Sequence, residues 1–339
     1  MMESPALYSP GEQTVLLTFD YEMFFVGAAT VDRCLIQPAD AILKTLEAAG
    51  VKACFFVDGP MLLAMADEPR AENDLHRVLN QIGRMISAGH RVEVHVHPQW
   101  LDAVWTDGRW DFPVKRSLVL ADLGEARAVD LIATGAQALL AAAREARPDY
   151  ELQAFRAPGL CAQPFHVIKA GMTAAGLTID SSVAPGMARH TDVHSFDYRE
   201  APRDPCWRFD DDPMQAVTGG RLAELPVTCV PIGLPDRVVK RLDRGLHPHS
   251  HDWFGDGTWQ MASEPMRKKL VTTLSIVTLE TTPPQVLRSM LARAGRVVTV
   301  LSHPKAMAPV SMRSLAWLTQ QDVRFALPAE VVAAAEDAC

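Results

Sequence analysis

The chain has 339 residues, 48% of them hydrophobic, and its mean hydropathy is close to zero. A chain of this length and composition can bury a sizeable core, which excludes wholesale disorder. Its formal net charge is −8 and no run of Lys and Arg stands out, which argues against a nucleic-acid-binding surface. The first residues contain neither a basic region nor an apolar stretch, so we expect no signal peptide, no membrane span and a cytoplasmic location.

Eight short apolar segments are rich in β-branched or aromatic residues and are bounded by Gly, Pro or Asp, a pattern that predicts β-strands. In chain order the predicted strands cover residues 14–19, 51–57, 91–97, 152–157, 177–182, 222–227, 297–303 and 323–327. Helix-like segments lie between several of these strands. The predicted helices cover residues 39–50, 71–89, 125–146 and 164–176, and the first two end on a glycine suited to a C-cap.

The alternation of strands and helices predicts parallel strands joined by crossover helices. Seven or eight such units favour a barrel, whether closed or incomplete, over an open sheet. Helix patterns thin out between about residues 184 and 260, a segment rich in Pro, Asp and His, which we interpret as long loops and extra strands laid on the barrel. We therefore expect a single domain over residues 1–339, with a barrel core at about 14–183 and 220–330 and a loop-rich insertion at about 184–260.

The first predicted strand, in the stretch VLLTFDYE, runs directly into two acids, Asp20 and Glu22. Residues i and i+2 of a strand point to the same side, and His95 and His97 form a second such pair in VEVHVHPQW. Because the carboxyl ends of all strands in a parallel barrel gather at one face, we expect both pairs at one rim. Carboxylate oxygens and imidazole nitrogens suit a zinc-like divalent ion with one position left open for water.

Polar residues also follow three other predicted strands, namely Arg156, Asp180 and His303. Taken singly, an acid at a strand end is usually a loop or capping residue, and a buried histidine is more often a core residue than a ligand. The same pattern after five separate strands favours a catalytic site over these alternatives. The set combines metal ligands, a spare carboxylate, an arginine to orient it and a separate histidine as proton donor.

Five ordered segments between residue 14 and about residue 306 resemble the motifs of the polysaccharide deacetylase superfamily, the NodB-homology fold of carbohydrate esterase family 4. These segments are TFDYE, GHRVEVHVHP, FRAPG, LTIDSSVAPG and LSHPK, of which the third and the fifth match most specifically. The resemblance implies an α/β fold, a distorted (β/α)7-type barrel that forms a single catalytic domain. It also implies a hydrolase that removes an N- or O-acetyl group from a sugar with a divalent metal ion, Zn²⁺ being the first expectation.

The same resemblance assigns catalytic roles residue by residue. Asp20 would be the general base, and Arg156 would hold Asp20 in place. Asp180 would brace the arginine side of the site, and His303 would be the general acid.

The metal ligands are less completely matched. Glu22 stands where members of the family place a metal carboxylate, and His95 matches their first metal histidine. The family spaces its metal histidines four apart, but Gln99 occupies that position here. His97 shares a strand side with His95 and is the candidate third ligand, with Gln99 as an alternative oxygen ligand. Because Glu22 is longer than the usual aspartate, the reverse assignment, with Asp20 on the metal and Glu22 as the base, also stays open.

Substrate contacts are expected from residues within or beside these motifs, namely Tyr21, Trp100 and Pro158. The tryptophans after the metal motif could stack on sugar rings, or could simply pack a long loop onto the barrel. Three alternating histidines, His247, His249 and His251, are interpreted as a solvated loop near the site. The expected substrate is a sugar nucleotide or a lipid-linked glycan intermediate of surface-polysaccharide synthesis.

Two other functions stay open at this stage. The chain could hydrolyse another non-peptide C–N bond, such as that of a cyclic amide, with the same metal site. It could also be a catalytically degenerate carbohydrate-binding protein, since position 99 carries no histidine. The presence of Asp20, Arg156 and His303 argues against the second alternative, because binding alone needs no proton relay.

Overall fold

A computed structural model describes residues 13–258 and 272–337 of the chain. Within these ranges the strands are β1 (Thr14–Tyr21), β2 (Cys54–Asp58), β3 (Arg91–His95), β4 (Val104–Thr106), β5 (Arg109–Asp111), β6 (Ala154–Arg156), β7 (Ile179–Asp180), β8 (Ala188–His190), β9 (Ser195–Asp197), β10 (Trp207–Phe209), β11 (Leu222–Glu224), β12 (Cys229–Ile232), β13 (Thr273–Ile276), β14 (Val297–Ser302) and β15 (Arg324–Phe325). The α-helices are α1 (Gln37–Ala49), α2 (Gly59–Asp67), α3 (Glu72–Ser87), α4 (Glu125–Ala146), α5 (Phe165–Ala175), α6 (Leu234–Leu246), α7 (Pro284–Arg293), α8 (Pro309–Leu318) and α9 (Pro328–Asp337).

One mixed sheet organises the chain, with the strand order β10-β11-β7-β6-β3-β2-β1-β14 and with β15 paired to β1. Neighbouring strands are parallel except for the antiparallel pair β10–β11. The sheet curls strongly into a half barrel, as in a distorted (β/α) barrel. Each of the eight predicted strands overlaps a strand of this sheet, so the predicted α/β barrel-type fold is confirmed.

Alternate residues of β1 pack into two different cores. Leu17 and Phe19 belong to the larger core, which the helices share, whereas Leu16 belongs to a smaller core on the opposite face of the sheet. Since side chains alternate along a strand, Asp20 and Glu22 project to the same face as Leu16. The smaller core therefore continues, at the carboxyl ends of the strands, into a polar layer.

The register of the sheet places polar strand ends side by side. Asp58 of β2 pairs with His95 of β3, and His95 pairs in turn with Arg156 of β6. On the far side of β6, Phe155 pairs with Asp180 of β7. Strand pairing alone therefore brings residues from distant parts of the sequence to one rim, as a parallel barrel requires.

Helix α4 is long and apolar enough to cross a membrane, judged by length and composition alone. In the structure it packs against α2, α3 and α5 and buries one face, which includes Leu131, Ile132 and Leu139. A helix that is apolar on its packed face is also what the core of a barrel requires. The expectation that the chain has no membrane span stays a prediction.

The segment at 184–260 contains more regular structure than the sequence predicts. It holds the β8–β9 hairpin, strands β10 to β12 and the whole of helix α6, where we expected only loops and extra strands. Strands β10 and β11 belong to the main sheet, and β12 pairs instead with β13. The segment therefore contributes two strands to the main sheet and contains a helix towards its C-terminal end.

Helices α2 and α4 approach so closely that glycine is required at their contact. A Cβ atom at Gly59 would lie 2.4 Å from the carbonyl oxygen of Gly135, so the two helices would have to separate. We expect Gly59→Ala to destabilise the protein by about 1–3 kcal/mol. Gly83 in α3 is the matched control, because a Cβ there would meet nothing closer than 3.9 Å.

Gly83→Ala should leave stability unchanged or raise it by up to about 1 kcal/mol, since alanine favours the helix. Urea unfolding of both variants measures the difference. Equal unfolding midpoints for Gly59→Ala and the unchanged protein would contradict the close packing of α2 on α4.

Candidate functional site

Two carboxylates at the end of β1 form the base of the site. Asp20 and Glu22 are 3% and 4% exposed, and the i, i+2 spacing points both to the inner face of the sheet. Tyr21, between them, points to the outer face, where its hydroxyl donates to Gln81 Oε1 at 2.6 Å. The strand thus places two acids side by side in a buried environment, where their negative charges require hydrogen-bonding or positively charged partners.

Glu22, His95 and His97 form the metal-type cluster of the described residues, with one ligand atom from each, all within 4.8 Å of one another. Glu22 Oε2 lies 2.8 Å from His95 Nε2 and 3.3 Å from His97 Nε2. Asp20 Oδ2 is further away, at 4.0 Å from His95 Nε2. The geometry therefore favours Glu22 over Asp20, and His97 over Gln99, as members of the cluster.

Groups behind the cluster orient both imidazoles. His95 Nδ1 lies 2.7 Å from the carbonyl oxygen of Arg156, a contact that requires the proton on Nδ1 and turns Nε2 towards Glu22. Asp58 accepts a hydrogen bond from the backbone N–H of His97 at 3.0 Å, and its second oxygen is 3.2 Å from His97 Nδ1. Such outer partners are typical of histidines that bind metal ions.

The charges of the site also suit a cation. Burial by itself would lower the pKa of His95, but Asp20 and Glu22 outweigh it and raise that pKa to about 9. The cluster thus attracts positive charge, and its oxygen and two imidazole nitrogens are donors that Zn²⁺ accepts. The three residues present therefore fit a divalent ion.

Asp20 is held by the guanidinium group of Arg156. Arg156 Nη1 donates to Asp20 Oδ1 at 2.6 Å and to Thr18 Oγ1 at 3.1 Å. On its other side, Nε donates to the carbonyl oxygen of Ser181 and Nη2 to the Ser181 hydroxyl, both at 2.9 Å. The side chain is completely buried and stacks on Phe56, with 4.0 Å from its guanidinium carbon to the ring centre.

Asp180 reaches the arginine side of the site through Ser182, and its predicted bracing role stays a prediction. Its Oδ1 accepts from the Ser182 hydroxyl at 2.6 Å, and Ser182 in turn accepts from the backbone N–H of Ala157. Burial raises the pKa of Asp180. Burial, the charge of Asp180 and a hydrogen bond to it raise the pKa of Glu224 well above its usual value. Glu224 was not predicted, although it also ends an apolar strand.

His303 stands across the cluster from Arg156. Its Nδ1 lies 2.6 Å from Glu280 Oε1, which also accepts the His303 backbone N–H at 2.8 Å. This contact turns Nε2 towards the two acids, 3.7 Å from Asp20 Oδ2 and 3.4 Å from Glu22 Oε1. Burial would lower the pKa of His303, but Glu280 and Glu22 raise it above the ordinary value. Glu280 was not predicted, and its signal is again an acid at the end of an apolar run, LSIVTLE.

Lys305 is the unexpected cation of the site. It is 1% exposed, and its ammonium donates to Glu22 Oε1 at 2.6 Å and to the carbonyl oxygen of Met23 at 2.5 Å. The same nitrogen lies 4.9 Å and 5.1 Å from the ring centres of Phe24 and Phe25. Lys305 thus occupies one oxygen of Glu22 and leaves the other to the histidines. The sequence contains it within LSHPK, but its long side chain gave no sign of where it would reach.

A cavity of about 650 Å³ lies over these groups, and Asp20, Glu22, His97 and His303 all line it. Its aromatic lining consists of Phe24, Phe25, Phe196 and Trp253. A larger cavity of about 1030 Å³, with Arg203 and Arg296 in its wall, contains none of the site residues. The chemistry therefore belongs to the smaller cavity.

The β8–β9 hairpin adds two cavity residues that the sequence analysis missed, Arg189 and His194. His194 is 5% exposed, and burial together with the charges of Arg189 and His97 lowers its pKa to about 4. A neutral imidazole therefore faces the cavity and can donate or accept a hydrogen bond.

The three predicted substrate contacts are not in the cavity wall. Tyr21 is a core residue on the outer face of β1, and Pro158 is buried below the rim. Trp100 is 5% exposed, donates to Asp58 Oδ2 at 2.7 Å and packs against Trp110, so it supports the site from behind. Substrate contact by these residues stays a prediction, because closeness in sequence to a site residue does not fix which side of the backbone a neighbour faces.

The alternating histidines do not form a second metal site. His247 and His249 have 57% and 96% of their side chains exposed, whereas His251 is buried and lies 2.7 Å from Asp243 Oδ2. These contacts are ordinary histidine–carboxylate pairs. Their segment is part solvated and part anchored to α6.

No family model matches the sequence, and no curated protein matches it. Solved structures are similar in fold. A Mycobacterium smegmatis protein described as a polysaccharide deacetylase has 14% identity and a TM-score of 0.49, covering 99% of this chain and 94% of that one. A family 4 carbohydrate esterase from Streptomyces lividans, in complex with acetate, has 12% identity and a TM-score of 0.44, covering 94% of each chain. A peptidoglycan deacetylase from Bacillus subtilis has 12% identity and a TM-score of 0.42, covering 98% of this chain and 95% of that one.

The raised pKa of the buried Glu224 carboxyl group predicts that the free energy of unfolding depends on pH. The folded-state pKa of Glu224 exceeds its unfolded value of about 4.3, so its contribution is complete below that pH and is lost as pH rises through the folded pKa. Glu224→Gln replaces the protonated donor with an amide that never ionises. We expect urea unfolding to show a smaller loss of stability from mildly acidic to alkaline pH in this variant. Parallel pH profiles for both proteins would refute the raised pKa of Glu224.

The ammonium group of Lys305 beside Glu22 predicts that the site binds a divalent metal ion more weakly than it would without this charge. Its positive charge opposes a cation on the other oxygen of Glu22, so Lys305→Met should lower the dissociation constant of Zn²⁺ at least about tenfold. Methionine is of similar length and can stay between Phe24 and Phe25. Titration calorimetry measures the change, with the exposed Lys115→Met as control. Unchanged or weaker zinc binding by Lys305→Met would rule out this opposition.

Proposed function

We propose that the chain is a metal-dependent hydrolase that removes an N- or O-acetyl group from a sugar. The observation that carries the proposal is that His303 Nε2 lies 3.7 Å from Asp20 Oδ2 and 3.4 Å from Glu22 Oε1, and that all three residues line one cavity. A pure binding site would need neither a carboxylate fixed by a buried arginine nor a histidine fixed by a neighbouring carboxylate. The resemblance of the sequence motifs to polysaccharide deacetylases supports the acyl group as the target.

Glu22, His95 and His97 would hold the divalent ion. When bound, the ion would polarise the acyl carbonyl group and make water a stronger nucleophile near neutral pH. Glu22 can offer it a single oxygen, because Lys305 engages the other one. The carbonyl oxygen of Arg156 keeps the His95 imidazole turned towards it, and Asp58 holds the backbone of His97.

Asp20 is the residue best placed to take a proton from the attacking water. Arg156 occupies Oδ1, which leaves Oδ2 directed at the side of the site where His95 and His303 converge. Because the guanidinium is itself fixed by Ser181, the carboxylate cannot rotate away. A general base held in this way needs no reorganisation when the reaction starts.

His303 is the residue best placed to return the proton. Glu280 holds Nδ1 and raises the pKa against the effect of burial, which favours the imidazolium form. Attack of water on the acyl carbon forms a C–O bond, and collapse breaks the C–N or C–O bond to the sugar. Nε2 then donates its proton to the departing amine or alcohol, and acetate is released.

The cavity suits a sugar ring. Aromatic faces from Phe25, Phe196 and Trp253 can pack against its apolar side, while His194 and Arg189 can bind polar groups. We propose a sugar nucleotide or a lipid-linked glycan intermediate as the substrate, on the cytoplasmic side of the membrane. The volume of about 650 Å³ accommodates one or two sugar units.

Acetate release from N-acetylated sugar nucleotides tests the function, measured with added Zn²⁺ and after removal of metal by a chelator. We expect activity only with metal. Asp20→Asn should lower kcat by about 10²–10⁴-fold because the base is lost. Asp149→Asn is the control, since that side chain is 88% exposed and outside the site.

Metal analysis separates the two acids. Asp20→Asn should keep the metal content of the unchanged protein, whereas Glu22→Gln should lose most of it. Loss of metal in Asp20→Asn alone would exchange the two roles, and an absence of acetate release from every acylated sugar tried would refute the function.

A further inference from the structure

Helix α6 presents an unusual apolar stripe to solvent. Its members, spaced four residues apart, are Leu234, Val238, Leu242 and Leu246, which are 54%, 45%, 60% and 75% exposed. Side chains at this spacing lie one above the other on one side of a helix. Single exposed apolar residues are normal on protein surfaces, but a row of exposed apolar side chains along a whole helix indicates an interaction surface.

The charged residues of α6 are sorted around this stripe. Both acids turn inwards, where Asp236 Oδ2 is 3.0 Å from Arg293 Nη1 and Asp243 Oδ2 is 2.7 Å from His251 Nε2. Arg241 and Arg244 are exposed. In a chain whose formal net charge is −8, the outer side of this helix is therefore apolar and basic.

The segments that precede and follow helix α6 are both connected to the wall of the cavity. It follows β12, whose partner β13 contributes Leu274, Ser275 and Ile276 to the cavity. Seven positions after Leu246 comes Trp253, which is 39% exposed and also lines the cavity. Helix α6 is therefore linked, through the segments on either side of it, to residues that line the cavity.

We propose that α6 docks on the surface of a lipid bilayer that contains anionic headgroups, and that the substrate is accordingly lipid-linked. Leucines on one side and arginines beside them match the composition of helices that lie in the membrane interface. Arginines at such a surface attract anionic lipids, and the partly exposed Trp253 is of the type that settles at headgroup level. The choice of substrate rests on the proposed deacetylase function, whereas the docking itself does not.

Sedimentation with vesicles tests the docking. The full chain should bind vesicles of equal parts phosphatidylglycerol and phosphatidylcholine, and should bind phosphatidylcholine alone at least about tenfold more weakly. Leu242→Glu combined with Leu246→Glu should reduce binding to the anionic vesicles about tenfold or more. Val217→Glu is the matched control, because Val217 is 39% exposed but lies outside α6.

Failure of the wild-type chain to sediment with anionic vesicles overturns the proposal. So does a wild-type dimer in size-exclusion chromatography that the double variant converts to a monomer without any vesicle binding, since a second copy would then cover the stripe. Acetate release from a soluble acetylated sugar should be equal in the wild type and the double variant, which shows that both are folded. Release from an acetylated glycolipid in anionic vesicles should fall about tenfold in the double variant only.

The two proposals fail separately. Vesicle binding without acetate release from any substrate refutes the deacetylase function and leaves the docking intact. Acetate release from soluble and vesicle-borne substrates alike, unaffected by the double variant, refutes the docking and leaves the deacetylase intact.

Discussion

The site depends on one fully buried side chain, that of Arg156. Its guanidinium binds Thr18 and Asp20 of β1 on one side and Ser181 beyond β7 on the other, and its own carbonyl oxygen orients His95 of β3. A buried guanidinium is tolerated only when its donors are satisfied, so the surrounding groups cannot move independently. Asp20, the proposed general base, and His95, a proposed metal ligand, are thereby fixed by the same residue.

Charge balance around Glu22 is the second constraint. This carboxylate meets His95, His97 and His303 and is neutralised by Lys305, so that burial does not force it to take up a proton. The pKa of Glu22 stays well below its ordinary value because these cations outweigh the effect of burial. A ligand that is ionised in advance suits metal binding, but the ammonium beside it must weaken the hold on a divalent ion.

The strands were predictable because buried parallel strands are continuous apolar runs, and five of them ended at polar residues of the rim. Helices α2, α6, α7, α8 and α9 were not predicted, and each omission has a physical reason. Helix α2, GPMLLAMAD, is apolar on nearly every side and therefore shows no helical periodicity. Helices α7, α8 and α9 begin at prolines, which indicate a boundary in the chain but do not by themselves predict a helix. Helix α6 lay in a segment whose Pro, Asp and His content pointed to loops.

The sequence by itself determined the curled parallel sheet and the chemical types at its rim, since apolar runs and the i, i+2 spacing of Asp20 and Glu22 are properties of the chain alone. Only the tertiary structure decided which groups meet. That Glu280 holds His303 and that Lys305 reaches Glu22 depends on how loops and long side chains fold across the rim. Contacts between residues far apart in sequence leave no local periodicity in the chain, so no sequence pattern predicts them.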